Sequence, residues 1–219
     1  MAVMTESEPT VPSRALIRSL DPAQLSLIEQ HLLALPDHDR YLRFGYPATD
    51  EQIQRYVAKL DFSRDELFGI FDAELRLVAV AHLAYLDAPG QQHLAEFGVS
   101  VNPELRGRGY GLQLFERCVV HARNQGVSRL IVHALSENAA MLRIARKAGA
   151  EVAREGSESQ ACLELPPADF GSQVGEMLAE GLARTDYHLK AGVKQVRGVI
   201  DLMHEIREGV RDARDQSKP

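Results

Sequence analysis

The run Arg106-Gly107-Arg108-Gly109-Tyr110-Gly111 holds the residue types of this chain whose spacing most directly suggests chemistry. Its glycines let a backbone approach an anion without a Cβ in the way. Arg106 and Arg108 add fixed positive charge to a chain whose formal net charge is −6. If a helix starts here, its unpaired N–H groups and positive dipole end point at the same place. The combination reads as a cradle for a pyrophosphate. The competing reading is a helix reached through a flexible loop with two solvated arginines, because short glycine patterns are widespread. The run is not a Walker A loop, since no Gly-Lys-Ser/Thr follows. It is also a poor dinucleotide fingerprint, which belongs early in a βαβ unit with an acidic residue about twenty positions on.

The flanking sequence supplies the strand and helix that would hold such a turn. Val99 and Val101 carry a β-branched strand signature, and Asn102-Pro103 ends it, because proline has no ladder donor. Leu112, Phe115, Val119 and Ala122, with Cys118 beside them, fall at helical spacing. Upstream, Leu67 to Phe71, a turn at Asp72-Ala73-Glu74, and Leu77 to Tyr85 predict a hairpin. Asp87-Ala88-Pro89-Gly90 predicts a second turn into the strand that holds Glu96. Downstream, Gly126 is expected to cap the helix, and Leu130 to Ala134 to run parallel to the earlier strand through the helical crossover. Asn138 to Ala148 reads as a further helix ended by Gly149, and Glu151 to Arg154 and Ala161 to Leu165 as two last strands.

Toward the N-terminus, Ala15-Leu16-Ile17 predicts a short strand. Asp21-Pro22 opens a helix through Leu25, Ile28, His31 and Leu32, and Thr49 or Asp50 caps another through Ile53, Tyr56, Val57 and Leu60. Asp39-Arg40-Tyr41-Leu42-Arg43-Phe44 fits neither helical nor strand periodicity. The expected architecture is α/β (α+β): a mixed, mostly antiparallel sheet flanked by helices.

Composition narrows the function classes. A length of 219 residues suits one domain with an appendage or two small domains. The acidic balance argues against nucleic-acid binding, which wants a basic face. No apolar run is long enough to span a bilayer. Met1 to Arg14 has no apolar core for a signal peptide, and residues 1–13 are expected to be disordered. Cys118 and Cys162 form no CxxC pair, which suits buried thiols in a reducing cytoplasm. The eight histidines show no metal-ligand spacing; His82, His93, His121 and His133 read as structural, and no metal is expected.

This order of elements resembles the GNAT acetyltransferase superfamily. Arg106, Gly109 and Gly111 match that family's acyl-CoA motif, Arg/Gln-x-x-Gly-x-Gly/Ala. The segment Asn138 to Gly149 resembles its next helix, which opens on asparagine and ends with glycine before a strand. The resemblance covers about Ala15 to Leu165. It implies acetyl-CoA as acyl donor and an amine as acceptor. It also implies a strand that bulges and splays from its neighbour, so that the backbone of Val99, Ser100 and Val101 bonds the pantetheine arm. The N–H groups from Gly107 to Gly111, with Arg106 and Arg108, would hold the pyrophosphate, and Asn138 would head the second cofactor-side helix.

Direct attack by an amine requires its ammonium form to lose a proton, so a base or water relay is needed. Glu96 stands where many members carry that glutamate, and alternation puts Glu96, Gly98 and Ser100 on one face. The competing reading is a strand glutamate paired across the hairpin. At the position where many members have a thiolate-protonating tyrosine, this chain has Ala145; water, Ser136 or Tyr110 remain as alternatives. Asp39 to Phe44, Ala95-Glu96-Phe97 and Glu137-Asn138 with Met141 look like the acetyltransferase domain of Pat-type bacterial protein lysine acetyltransferases. That likeness points to a protein lysine as acceptor. A small-molecule amine is the rival, and a non-catalytic acyl-CoA-binding module is the reading from another class.

Residues 14–166 thus read as the acetyltransferase unit and residues 167–219 as a helical extension. Leu178, Leu182, Thr185, Leu189, Gly192, Val196, Val199, Met203, Ile206 and Val210 alternate spacings of three and four, a heptad seam. A continuous helix from Val174 to Val210 would reach about 55 Å at 1.5 Å per residue. It would serve a homodimer or higher oligomer, or pack on its own domain.

Overall fold

The structure, a computed structural model, describes residues 15–86, 93–169 and 171–187. The disordered segment expected at 1–13, the turn expected at Asp87 to Gly90 and the seam beyond residue 187 lie outside the described residues. Seven strands form a single sheet: β1 (Ile17–Leu20), β2 (Asp65–Phe71), β3 (Leu77–Leu86), β4 (Leu94–Val101), β5 (Arg129–Leu135), β6 (Glu151–Glu155) and β7 (Glu158–Glu164). Their order is β1-β2-β3-β4-β5-β7-β6, antiparallel throughout except for the β4–β5 pair. Helices α1 (Leu25–Leu33), α2 (Asp37–Phe44) and α3 (Asp50–Ala58) precede the hairpin. Helix α4 (Tyr110–Asn124) crosses from β4 to β5, α5 (Ala139–Lys147) follows β5, and α6 spans residues 171–187.

Alternation along the strands sorts the core into two layers. Ala81, Leu83, Ala95 and Phe97 face α4 and α5, where Phe97 meets Phe115 edge-on at 4.9 Å. Such a pair contributes about 1 kcal/mol beyond its buried area. The opposite face carries Leu67 and Val80 against Ile28, Leu32, Ile53 and Val57 of α1 and α3. The caps follow the expected chemistry: Asp21 and Thr49 each complete a capping box, with Gln24 and Gln52 returning the bond.

His31 joins the second layer to the sheet. Its Nδ1 lies 3.1 Å from the Leu77 carbonyl, so Nδ1 carries the proton and Nε2 accepts from the Ser100 hydroxyl at 2.9 Å. Burial, aided by the positive field of Arg43, lowers its pKa to about 4. A neutral histidine depressed from 6.5 favours the fold above pH 6.5 and loses that contribution as pH falls toward 4. We expect urea melts to show His31 contributing about 2 kcal/mol of acid destabilisation between pH 7 and pH 5. That slope should be largely absent in His31→Gln, and an equal slope in both proteins would refute the assignment.

Three sequence expectations are corrected. Residues Asp39 to Phe44 are helical, the body of α2, which closes on Gly45 in the left-handed region at φ 79°. The helix has no wide apolar stripe because it buries Asp39. Strand β4 carries no bulge against β3: the register runs unbroken from Leu86↔Leu94 to Ala79↔Val101. The irregularity falls instead between Ile70 and Phe71 of β2. The first strand also starts two residues later than Ala15, at Ile17.

Helix α6 lies on its own domain, but not by its seam. Glu176 bonds Arg117, His121 and Asn124 of α4, and Glu180 bonds Ser19 at 2.9 Å. Ala183 is buried, and Tyr187 meets Phe71 edge-on and lies under the Arg18 guanidinium. Burial would lower the His121 pKa, but its contacts with Glu176 and Glu66 outweigh this and raise it to about 9. Burial likewise works against the charge of Glu176, and His121, Arg117 and Asn124 overcome it, drawing the pKa down to about 2. The described part of the seam faces outward: Leu178 is 65% and Leu182 66% exposed, beside Met177 at 75%.

Candidate active site

The sheet opens at Glu96. The β4–β5 ladder consists of Leu94↔Arg129, Ala95↔Leu130 and Glu96↔Ile131 and then stops, while β4 continues to Val101 and β5 continues against β7. The Asn102 N–H bonds the Val78 carbonyl. Since exchanging pairs alternate along an antiparallel ladder, Ser100 turns its backbone groups to β3, and Val99 and Val101 turn theirs to the open side. Backbone groups in such a position require a partner. Here they line a cleft of about 970 Å³. The Ser100 side chain is committed to His31.

At the far end of the cleft stands the glycine turn. Gly107 and Gly109 have φ of 78° and 79°, left-handed values that a side chain would resist. Gly109 is the N-cap of α4, so the first N–H groups of that helix have no intrahelical acceptor. A Cβ on Gly111 would stand 3.1 Å from Ile144, so the bare glycine lets α4 start close against α5. Tyr110 lines the cleft, as do Gly107, Gly109 and Gly111, whereas Arg108 is exposed and outside it. Arg106 reaches across to Asp39 of α2 at 2.5 Å. Asn138 caps α5 through the Met141 N–H and touches the Leu42 carbonyl at 3.4 Å, tying α5 to α2.

Glu96 is exposed and lines the same cleft, on the face shared by Gly98, Ser100 and His82. The Glu137 carboxylate beside Tyr41 raises the pKa of that phenol, a further tie between α2 and the turn after β5. Ala145 is completely buried and does not line the cleft; Met141 and Ile144 form that wall. Ser136 bonds Gly156 and Ser159.

Sequence reasoning missed a chain of polar groups on the sheet face that carries Glu96. Arg43 donates through Nη2 to the Tyr56 hydroxyl at 3.0 Å, and Tyr56 lies 2.8 Å from His82 Nδ1. His82 Nε2 approaches Asp65 at 3.1 Å, an electrostatic contact too bent for a good hydrogen bond. Burial, then the Arg43 charge, lowers the His82 pKa despite Asp65 and Glu96 nearby. In the tautomer with its proton on Nε2, His82 accepts from Tyr56. No spacing rule joins residues 43, 56, 65 and 82; the usable signal was that His82 stands opposite Gly98 in the β3–β4 hairpin.

A mixed sheet parted at its parallel pair, with a left-handed glycine turn opening a helix at the end of the gap, defines an acyltransferase-type α/β fold. A family model for the acetyltransferase (GNAT) domain matches residues 14–151, more than half of the chain, and the chain belongs to that family. Acetyl-CoA is the acyl donor the family uses, and the free edge of β4 and the turn at Gly107–Gly111 fit an amide-rich arm ending in a pyrophosphate. Solved structures agree in fold. The GNAT domain of S. lividans PAT is 20% identical, with a TM-score of 0.59 over 68% of this chain and 89% of that one. An N-acetyltransferase from Staphylococcus aureus Mu50 is 18% identical, with a TM-score of 0.55 over 70% and 100%. Spermidine N-acetyltransferase from Vibrio cholerae, solved with CoA and spermine, is 16% identical, with a TM-score of 0.55 over 69% and 96%. No described helix is long and apolar enough to cross a membrane.

Proposed function

We propose that this chain transfers the acetyl group of acetyl-CoA to an amine, with Glu96 as general base and a protein lysine as the favoured acceptor. The observation that carries the reading is the end of the β4–β5 ladder at Glu96, which sets a carboxylate at the head of a strand edge whose Val99 and Val101 backbone groups await a partner. Val99 and Val101 are assigned to the pantetheine arm, and Arg106, Gly107, Gly109, Tyr110 and Gly111 to the pyrophosphate. In the transfer, a nitrogen–carbon bond forms as the thioester carbon–sulfur bond breaks. Glu96 takes the proton the amine gives up, and the sulfur takes one from water. A lysine acceptor rests on the likeness of Asp39–Phe44, Glu96 and Glu137–Asn138 to Pat-type enzymes; a small-molecule amine is the second reading, in keeping with the spermidine enzyme of the same fold. Two unbridged cysteines suit a reducing cytoplasm.

The test is a calorimetric titration with acetyl-CoA followed by thiol release over a panel of lysine peptides, polyamines and other amines. Binding with turnover on at least one amine supports the reading. Absence of binding overturns it, and binding with no turnover leaves an acyl-CoA-binding module.

The outward seam of α6 supports an oligomer built on residues 167–219, because Val174, Leu178 and Leu182 leave an apolar stripe that the domain does not use. Truncation after Pro167 is expected to lower the mass found by light scattering to that of one chain. An unchanged mass would defeat the role given to this segment.

A further inference from the structure

Arg43 is the feature of the cleft that acetyl transfer to a simple amine leaves unexplained. Its neighbours Arg40 and Arg106 are each paired with a carboxylate, Asp50 and Asp39. Arg43 has no carboxylate partner among the described residues. Its guanidinium lies directly over the β4 backbone: a Cβ on Gly98 would stand 2.8 Å from Cζ and 2.9 Å from both terminal nitrogens. Nη2 is engaged by Tyr56, while Nε is buried with no hydrogen-bond partner. The ring of Tyr56 lies 5.6 Å away and that of Phe44 5.2 Å, which supports the planar group without neutralising it. Both nearby histidines, His31 and His82, feel that charge as a push toward their neutral forms.

Desolvating a cation and leaving a donor unmet is costly unless something occupies the site. A carboxylate is the group whose two oxygens fit a guanidinium fork. Gly98 lies two residues from Glu96 on the same strand face, about 7 Å at the rise of a β-strand. The arrangement therefore sets an anion anchor within a few bonds of the place where the amine loses its proton.

We propose that Arg43 anchors a carboxylate carried by one of the two substrates, either on the amine acceptor close to its reacting nitrogen or at the far end of the acyl group. This deepens the reading of the same cleft as an acetyl-CoA-dependent site and rests on it.

The experiment compares pairs matched in chain length, one member of each carrying the carboxylate and the other lacking its charge. The acceptor arm sets 4-aminobutyrate against 4-aminobutyramide, and hexapeptides with Glu or Gln beside the lysine against each other. The donor arm sets succinyl-CoA against butyryl-CoA. Each pair is read by thiol release and by calorimetric binding. The acidic member of one pair is expected to be favoured about 10- to 50-fold, the scale of one buried charge-assisted contact. The arm that shows the preference names the carrier. In Arg43→Met the ratio should collapse to about twofold. In Gly98→Ala, which keeps the charge but displaces the guanidinium, it should fall as well. Thermal melts establish that each variant is folded. Equal handling of both members in every pair, or a preference untouched by both substitutions, overturns the proposal. If no pair turns over yet the binding preference stands and falls with Arg43, the acyl-transfer reading fails while the carboxylate site holds.

Discussion

Glu96→Gln is expected to lower kcat by about 10²- to 10³-fold, the usual scale for loss of a positioned base, while acetyl-CoA affinity changes by no more than about twofold. Glutamine fills the same volume but accepts no proton at neutral pH. The residue stands at the last rung of the β4–β5 ladder, where its backbone is fixed by pairing on both sides and its side chain enters the cleft. Without it, turnover depends on the small fraction of acceptor already deprotonated in solution. For a lysine-type amine with pKa near 10.4, the residual rate should climb about tenfold per pH unit through the alkaline range, more steeply than in the wild type. Steady-state thiol release at several pH values measures both effects. A kcat within threefold of wild type would remove Glu96 from the role. In that event His82, which pairs with Gly98 from the neighbouring strand β3 on the same sheet face and whose pKa burial lowers, is the group to test, and His82→Gln should carry the loss instead.

What the sequence disclosed and what it withheld follow from the range of the interactions involved. The turn at Gly107–Gly111 was legible because left-handed backbone and a helix start are local demands that glycine meets almost alone. The strand–helix–strand order was legible because period two and period 3.6 differ over a few residues. Where the β4–β5 pairing ends is decided by two strands about thirty-five positions apart, and no local pattern records it. Helix α2 escaped because its inward contact is Asp39 rather than an apolar stripe, although Asp37 and Asp39 in the first turn and Gly45 after the last were readable signals. The seam of α6 was readable as a pattern but not as a partner: its polar face, Glu176 and Glu180, is what reaches α4 and β1. The charged residues of such a helix can make the specific contact, and the apolar stripe can be what is left over.

Arg106 carries the second large effect, and two roles must be separated in it. Its guanidinium belongs to the turn proposed above to hold the pyrophosphate, yet in this structure it is held by Asp39, a side chain only 8% exposed. Arg106→Ala is therefore expected to weaken acetyl-CoA binding about 10- to 100-fold through loss of charge-assisted contacts. It should also lower Tm by about 5 °C, because a buried carboxylate loses its cation. The Arg106 side chain is half exposed, which keeps the stability cost at the small end of buried-pair values. The double variant Arg106→Ala with Asp39→Asn removes the stranded charge. It should recover most of the Tm and little of the affinity. Asp39→Asn alone frees the guanidinium, and acetyl-CoA should then bind as tightly as in the wild type or more so. Recovery of affinity in the double variant would mean that Arg106 acts only by holding α2 over the cleft, and the pyrophosphate would then rest on the N–H groups of the glycine turn and the first turn of α4.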